Sequence, residues 1–219
     1  LADDAVDGYV GTSVGAINGV LAAQGDLAVL EALWTDIDDG FVPDGIRGFL
    51  RLDGIGGVFN LAPMRVKLRQ YVAVARLRTP FGCGAVRMRD SRHAVFGTPG
   101  LPWLGALALR CDADLHAAIL ASSAMAGLMN AEEIDGAAWV DGGHVYGIPP
   151  VPADVERVTA ILHHPLRVSA TREARVSRLA DRAAWAGGTA LAMGHREDVA
   201  RLRRMARRGV RVDVYAPDS

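Results

Sequence analysis

Val10-Gly11-Thr12-Ser13-Val14-Gly15-Ala16 stands near the start of a 219-residue chain and decides how the rest is read. Its Gly-x-Ser-x-Gly spacing is that of a nucleophile elbow, a serine on a sharp strand-to-helix turn with a glycine two positions to either side. Such a turn holds the serine at positive φ with its Oγ exposed, and a side chain at Gly11 or Gly15 is expected to collide where strand and helix pass. The flanks suit this. Val6 to Val10 reads as a short strand, and Ala16 to Ala23 as a helix of small residues fit for burial. A glycine-rich turn that binds nothing, or one that cradles a phosphate, has the same local pattern, so the rest of the chain has to decide.

A serine hydroxyl is a poor nucleophile at neutral pH and needs a base within hydrogen-bond reach. A second stretch offers one. Ala121-Ser122-Ser123-Ala124 with Gly127 is followed by Glu133-Ile134-Asp135-Gly136 and then by Trp139-Val140-Asp141-Gly142-Gly143-His144. Trp139-Val140 reads as a buried strand running into a tight turn. An acidic residue at the carboxyl end of a strand is where an open α/β sheet places its active site. By itself Asp-Gly-Gly is also an ordinary turn signal.

Together these stretches resemble the patatin-like phospholipases. The likeness rests on Gly11-Thr12-Ser13-Val14-Gly15-Ala16-Ile17-Asn18, on Ala121-Ser122-Ser123-Ala124 with Gly127, and on Ile134-Asp135-Gly136 leading to Val140-Asp141-Gly142-Gly143. Their order, and the 128 positions between Ser13 and Asp141, also match, and the likeness spans about residues 5 to 150. It implies an α/β/α three-layer fold with a mostly parallel central sheet. It also implies a lipid acyl hydrolase with a Ser-Asp dyad, Ser13 as nucleophile and Asp141 as base, that uses no histidine, metal or cofactor. Gly11 and Gly15 would frame the elbow, and Gly142 and Gly143 would shape the Asp loop.

Two departures stand beside the likeness. The chain opens with Leu1-Ala2-Asp3-Asp4, similar to the tail of the helix that precedes the family's elbow. The expectation is therefore a single domain over residues 1–219, N-terminally truncated and lacking the first strand and the glycine-rich oxyanion loop. The Val14 backbone N–H is then the candidate oxyanion donor, and an open sheet edge invites aggregation or dimerisation. Past Asp-Gly-Gly, Tyr146-Gly147 stands where the family has an Asp-Asn pair. Two competing functions follow: an inert remnant that at most binds lipid or a partner, and a Ser-Asp-His esterase using His163 or His164.

Composition narrows the classes. A formal net charge of −1 gives no electrostatic reason to expect nucleic acid as a partner. Cys83 and Cys111 are too few for a metal cluster or disulfide framework, which points to a reducing compartment. Lys67 is the sole lysine beside many arginines, a sign of coding bias. No apolar run is long enough to cross a membrane as a helix. The expected setting is cytoplasmic or peripheral to a membrane, with a signal peptide left open by the start of the chain. The expected partner is a lipid or other acyl ester, with a membrane surface as one setting for the encounter. Arg201, Arg203, Arg204, Arg207 and Arg208 would suit an anionic lipid surface or, beside Glu197 and Asp198, an ordinary solvated helix face. Leu101, Trp103 and Leu104 would form either an apolar lip for acyl chains or a core contact.

Helical and strand-like segments alternate along the chain, as an α/β sheet requires. The pattern predicts helices at Leu27–Ile37, Ala62–Val74 and through Leu115–Ala121 (capped by Asp112 or Asp114), and a lid-like loop at 40–60. Strands are expected at 84–88, 93–96 and 158–162. A helical region is expected at 171–208, and a last strand at 210–215 closes the sheet.

Overall fold

The strand leading into the serine turn, β1 (Tyr9–Gly11), lies parallel to β2 (Phe81–Arg87), with Gly11 opposite Cys83. The computed structural model describes residues 6–35, 61–103, 105–127, 129–152, 154–163 and 194–217. The expected loop at 40–60, His164 and most of the expected helical region 171–208 lie outside them. The chain, read from its sequence as one domain, groups into two compact units, residues 1–143 and 144–219. No change of composition marks that boundary.

In the first unit β2 is the central strand. On one side it pairs antiparallel with β3 (Arg92–Gly97), which pairs parallel with β4 (Leu107–Ala108). On the other side it carries β1 along its first half and β6 (Ala137–Asp141) along its second, with β5 (Glu132–Ile134) outside β6. The expected mostly parallel sheet thus gives way, over the described residues, to a mixed one with two parallel and three antiparallel pairings. The reason is connection length. Residues 88–91 and 135–136 are tight turns, and a tight turn can only reverse the strand, whereas a parallel pair needs a crossover. Asp135 and Gly136 have φ of 51° and 70°, the left-handed pair of a two-residue hairpin turn.

Two helices cover one face of this sheet: α1 (Val14–Gln24) and α4 (Asp112–Ser123). Residues alternate along β2, so Phe81, Cys83 and Ala85 point together into that core. There they meet Ile17, Val20 and Leu21 of α1 and Leu115, Ala118 and Ile119 of α4. Phe96 and Trp139 add an edge-to-face ring pair with centroids 5.0 Å apart. Burial pushes the Cys83 thiol up, so this cysteine is a neutral packing group. The helix α2 (Leu27–Thr35) buries no residue fully, and α3 (Ala62–Tyr71) buries Met64 and Leu68. The N-cap of α4 is Cys111 rather than an aspartate. Asp112 instead accepts the Val74 N–H at 2.6 Å and Asp114 the Arg110 N–H at 3.1 Å. On the opposite face Leu101 fills the room left by Gly8, Gly82 and Gly97, where added Cβ atoms would meet it at 2.9, 2.6 and 2.7 Å. Of the two roles open to Leu101, packing on the sheet is the one it has.

In the second unit β7 (Arg157–Ile161) and β8 (Arg211–Tyr215) form a two-stranded parallel sheet of their own. Among the described residues β8 pairs only with β7, so it does not close the larger sheet as expected. Alternation marks a strand but not its partner. The helix α5 (residues 194–207) precedes β8 and ends at Gly209, whose φ of 93° suits a glycine stop. Buried Asp198 on α5 accepts the Ile148 N–H at 2.8 Å and also that of Gly147, and pairs with Arg201 at 2.6 Å. Arg201 lies 4.8 Å over the Tyr146 ring, and a Cβ at Gly147 would reach Asp198 Oδ2 at 2.8 Å. Tyr146-Gly147, a departure from the family pattern, is thus matched to this aspartate.

Burial raises the Asp198 carboxyl above its ordinary value, against the pull of the Ile148 N–H, Arg201 and the Gly147 N–H. A raised folded-state pKa favours the folded state fully below the unfolded pKa, and this contribution is lost as pH rises through the folded one. Wild type should therefore gain stability relative to Asp198→Asn between about pH 7 and about pH 4. Paired denaturant titrations check this, and a gap that stays constant or moves the other way refutes it.

Candidate active site

Gly11 ends β1, Thr12 is buried, and Ser13 sits immediately before α1 with φ 56° and ψ −126°. Few non-glycine residues accept such a backbone, at a cost of about 1–3 kcal/mol, unless their surroundings impose it. The turn is closed by Gly15 N–H to Thr12 O at 2.8 Å and Ala16 N–H to Ser13 O at 2.9 Å. Gly11 is required by its neighbours. A Cβ there would lie 2.0 Å from Gly15 O and 2.6 Å from Ala16 N, both backbone atoms. The expected collision at Gly15 is not found, because a Cβ there meets nothing within 4 Å among the described residues. The Gly15 backbone itself passes against Gly11, but its own Cβ position faces open space, so only the first glycine of the pair is sterically required. Gly15→Ala should accordingly shift unfolding stability by no more than about 1 kcal/mol. A larger loss in a chemical melt would contradict this open space.

Asp141 ends β6 and is 4% exposed. Its N–H donates to Ala124 O at 2.9 Å, and its Oδ1 accepts the Gly143 N–H at 2.7 Å, an Asx-type turn that fixes the carboxylate. A Cβ at Gly142 would lie 2.4 Å from Gly84 O and 3.0 Å from Thr12 Cγ2. The Asp loop therefore touches both β2 and Thr12, the residue preceding Ser13.

The strand register brings the two motifs together. β1 runs along one edge of β2 and stops opposite Cys83, while β6 arrives from the other direction and stops opposite Ala85. Their carboxyl ends face each other across Gly84. Ser122, fully buried in the last turn of α4, occupies this junction. Its Oγ accepts the Ser13 N–H at 3.0 Å and donates to Gly84 O at 2.6 Å. Sequence reasoning quoted Ser122 only within the Ala121-Ser122-Ser123-Ala124 match and gave it no role. The available signal was its place on an apolar stripe, seven positions after Leu115 and three after Ile119, where a hydroxyl must find buried partners.

Ser13 Oγ makes no hydrogen bond among the described residues, so this structure does not join it to Asp141. Val14 opens α1, where the first N–H has no partner within the helix and the helix end is partly positive. His163 is exposed and belongs to the second unit. Of the arginine stripe, Arg204 pairs with Glu197 at 2.6 Å on an exposed helix face, whereas Arg201 is tied at 2.6 Å to buried Asp198. Among the described residues no group of His, Cys, Asp and Glu is arranged to hold a metal ion, and no helix is long and apolar enough to cross a membrane. A family model described as patatin-like phospholipase matches residues 1–154 of the chain. No curated protein matches it.

Proposed function

The chain belongs to the patatin-like phospholipase family, and we propose that it is a serine acyl hydrolase acting on lipid esters through Ser13 and Asp141. The observation that carries this is the meeting of two strand ends across Gly84, one delivering the strained serine and the other the buried aspartate. Ser13 Oγ attacks the ester carbonyl while Asp141 takes its proton. The negative charge that develops on the carbonyl oxygen faces the Val14 N–H at the positive end of α1. Collapse of the tetrahedral intermediate expels the alcohol, which receives the proton from Asp141. Water then attacks the acyl-serine, with Asp141 taking its proton, and collapse frees the acid as Asp141 returns that proton to Ser13 Oγ. The open resting geometry of Ser13 Oγ is compatible with this route, because catalytic hydrogen bonds often tighten only with substrate bound.

A fluorophosphonate ester tests the nucleophile. Incubated with the protein, it should add one phosphonyl group, which mass spectrometry of the digested protein is expected to place on Ser13. His163→Ala and His164→Ala should keep most of the hydrolysis of a p-nitrophenyl ester. Labelling elsewhere, or loss of activity in a folded histidine variant, would reject the dyad, the latter in favour of a Ser-Asp-His triad.

A further inference from the structure

Resting on the dyad reading, we infer that Ser122 is a positioning residue for the nucleophile, and that the end of α4 acts as a jig setting Ser13 against Asp141. The argument begins at Gly84. β1 pairs with β2 as far as Cys83 and β6 from Ala85 onward, so the junction at Gly84 falls between two ladders. The Ser122 hydroxyl donates to the Gly84 carbonyl at 2.6 Å and leaves a lone pair for the Ser13 N–H at 3.0 Å. A peptide group turned toward the core needs a partner, and the half-buried Ser13, just outside the helix with φ 56°, finds its own through this side chain. The hydroxyl thus stabilises the one backbone conformation that directs the serine away from its strand.

Two residues further on, Ala124 O accepts the Asp141 N–H at 2.9 Å. The same short segment, Ser122 to Ala124, therefore holds the backbone of both members of the dyad. Their backbone spacing is set by this one piece of chain. Without the hydroxyl, the Ser13 N–H and the Gly84 carbonyl would both lose a partner inside the core. The elbow would relax toward an ordinary φ and carry Oγ and the Val14 N–H off line. Ser122 touches no substrate in this scheme, so the effect belongs in kcat.

The experiment compares Ser122→Ala and the near-isosteric Ser122→Cys with wild type, measuring kcat and KM on a p-nitrophenyl ester, the rate of fluorophosphonate labelling, and thermal unfolding. Misplacing a reacting group by about 1 Å costs on the order of 100-fold. In folded Ser122→Ala, kcat and the labelling rate should fall by about 10- to 100-fold with KM little changed. Ser122→Cys, a weaker donor and acceptor of similar shape, should fall between. A folded Ser122→Ala with wild-type kcat and a merely lowered melting temperature overturns the inference. So does failure of both variants to fold, since the hydroxyl would then serve the core alone. An inactive wild type, or full turnover by Ser13→Ala, would instead overturn the dyad reading, and this inference with it.

Discussion

Ser13→Ala should reduce ester hydrolysis to the uncatalysed background, and Asp141→Asn should lower kcat by about 10²–10⁴ while the protein stays folded. The two losses differ in origin. Alanine at position 13 removes the proposed nucleophilic oxygen, so the proposed acyl-enzyme route cannot run. Asparagine at position 141 keeps the shape and can still accept the Gly143 N–H, but it cannot take a proton. Its loss corresponds to roughly 3–5 kcal/mol of transition-state stabilisation, and a positioned Ser13 with its oxyanion donor would supply the remainder. Steady-state kinetics on a short-chain ester and circular dichroism separate chemistry from folding. Asp141→Asn within about tenfold of wild type would show that another group is the base.

The second large effect is expected at the glycines of the junction. In Gly11→Ala the new Cβ would stand 2.0 Å from Gly15 O, and in Gly142→Ala 2.4 Å from Gly84 O. Neither obstacle is the movable tip of a side chain. At Gly11 the first turn of α1 must be pried from β1, and at Gly142 the Asp loop must leave β2. Each change should cost about 3 kcal/mol or more, with Gly11→Ala the more severe. Chemical denaturation or soluble yield reads the order, with Gly15→Ala as the tolerated control. A Gly11→Ala protein within about 1 kcal/mol of wild type would mean that the strand-to-helix pass is looser than described.

What could be read from the sequence was what is local. The elbow shows because a serine between two glycines, after a strand and before a helix, is a statement about adjacent peptide groups. Asp141 shows for the same reason, since Trp139-Val140 and the glycines behind it confine the turn to a few residues. The α/β class follows from periodicity alone. Strand direction did not follow as readily. Asp135-Gly136 is a hairpin signal, yet taken only as part of a motif it said nothing about the antiparallel pairing of β5 with β6. The separate pairing of β8 with β7 was hidden because an alternating strand fits any edge of matching polarity. Ser122 was hidden more deeply. Its meaning comes from Ser13 and Gly84, which lie far from it in sequence, and a hydroxyl on a helix has no local mark that says which backbone it serves. Gly15 is the reverse case, where local similarity to Gly11 suggested a steric demand that is absent because a Cβ there would point into open space.

The end-to-end arrangement of β1 and β6 on a single strand also bears on how the protein matures. Neither half of the junction exists until β2 has captured partners from distant parts of the chain, one from each direction. Such long loops close slowly, because chain entropy is spent before any contact repays it. The meeting of Ser13 and Asp141 at one strand junction is therefore expected late in assembly rather than in early collapse. Regained turnover after dilution from denaturant is a stricter clock for native pairing than regained helix signal, since α1 and α4 can wind before the strands they cover have met.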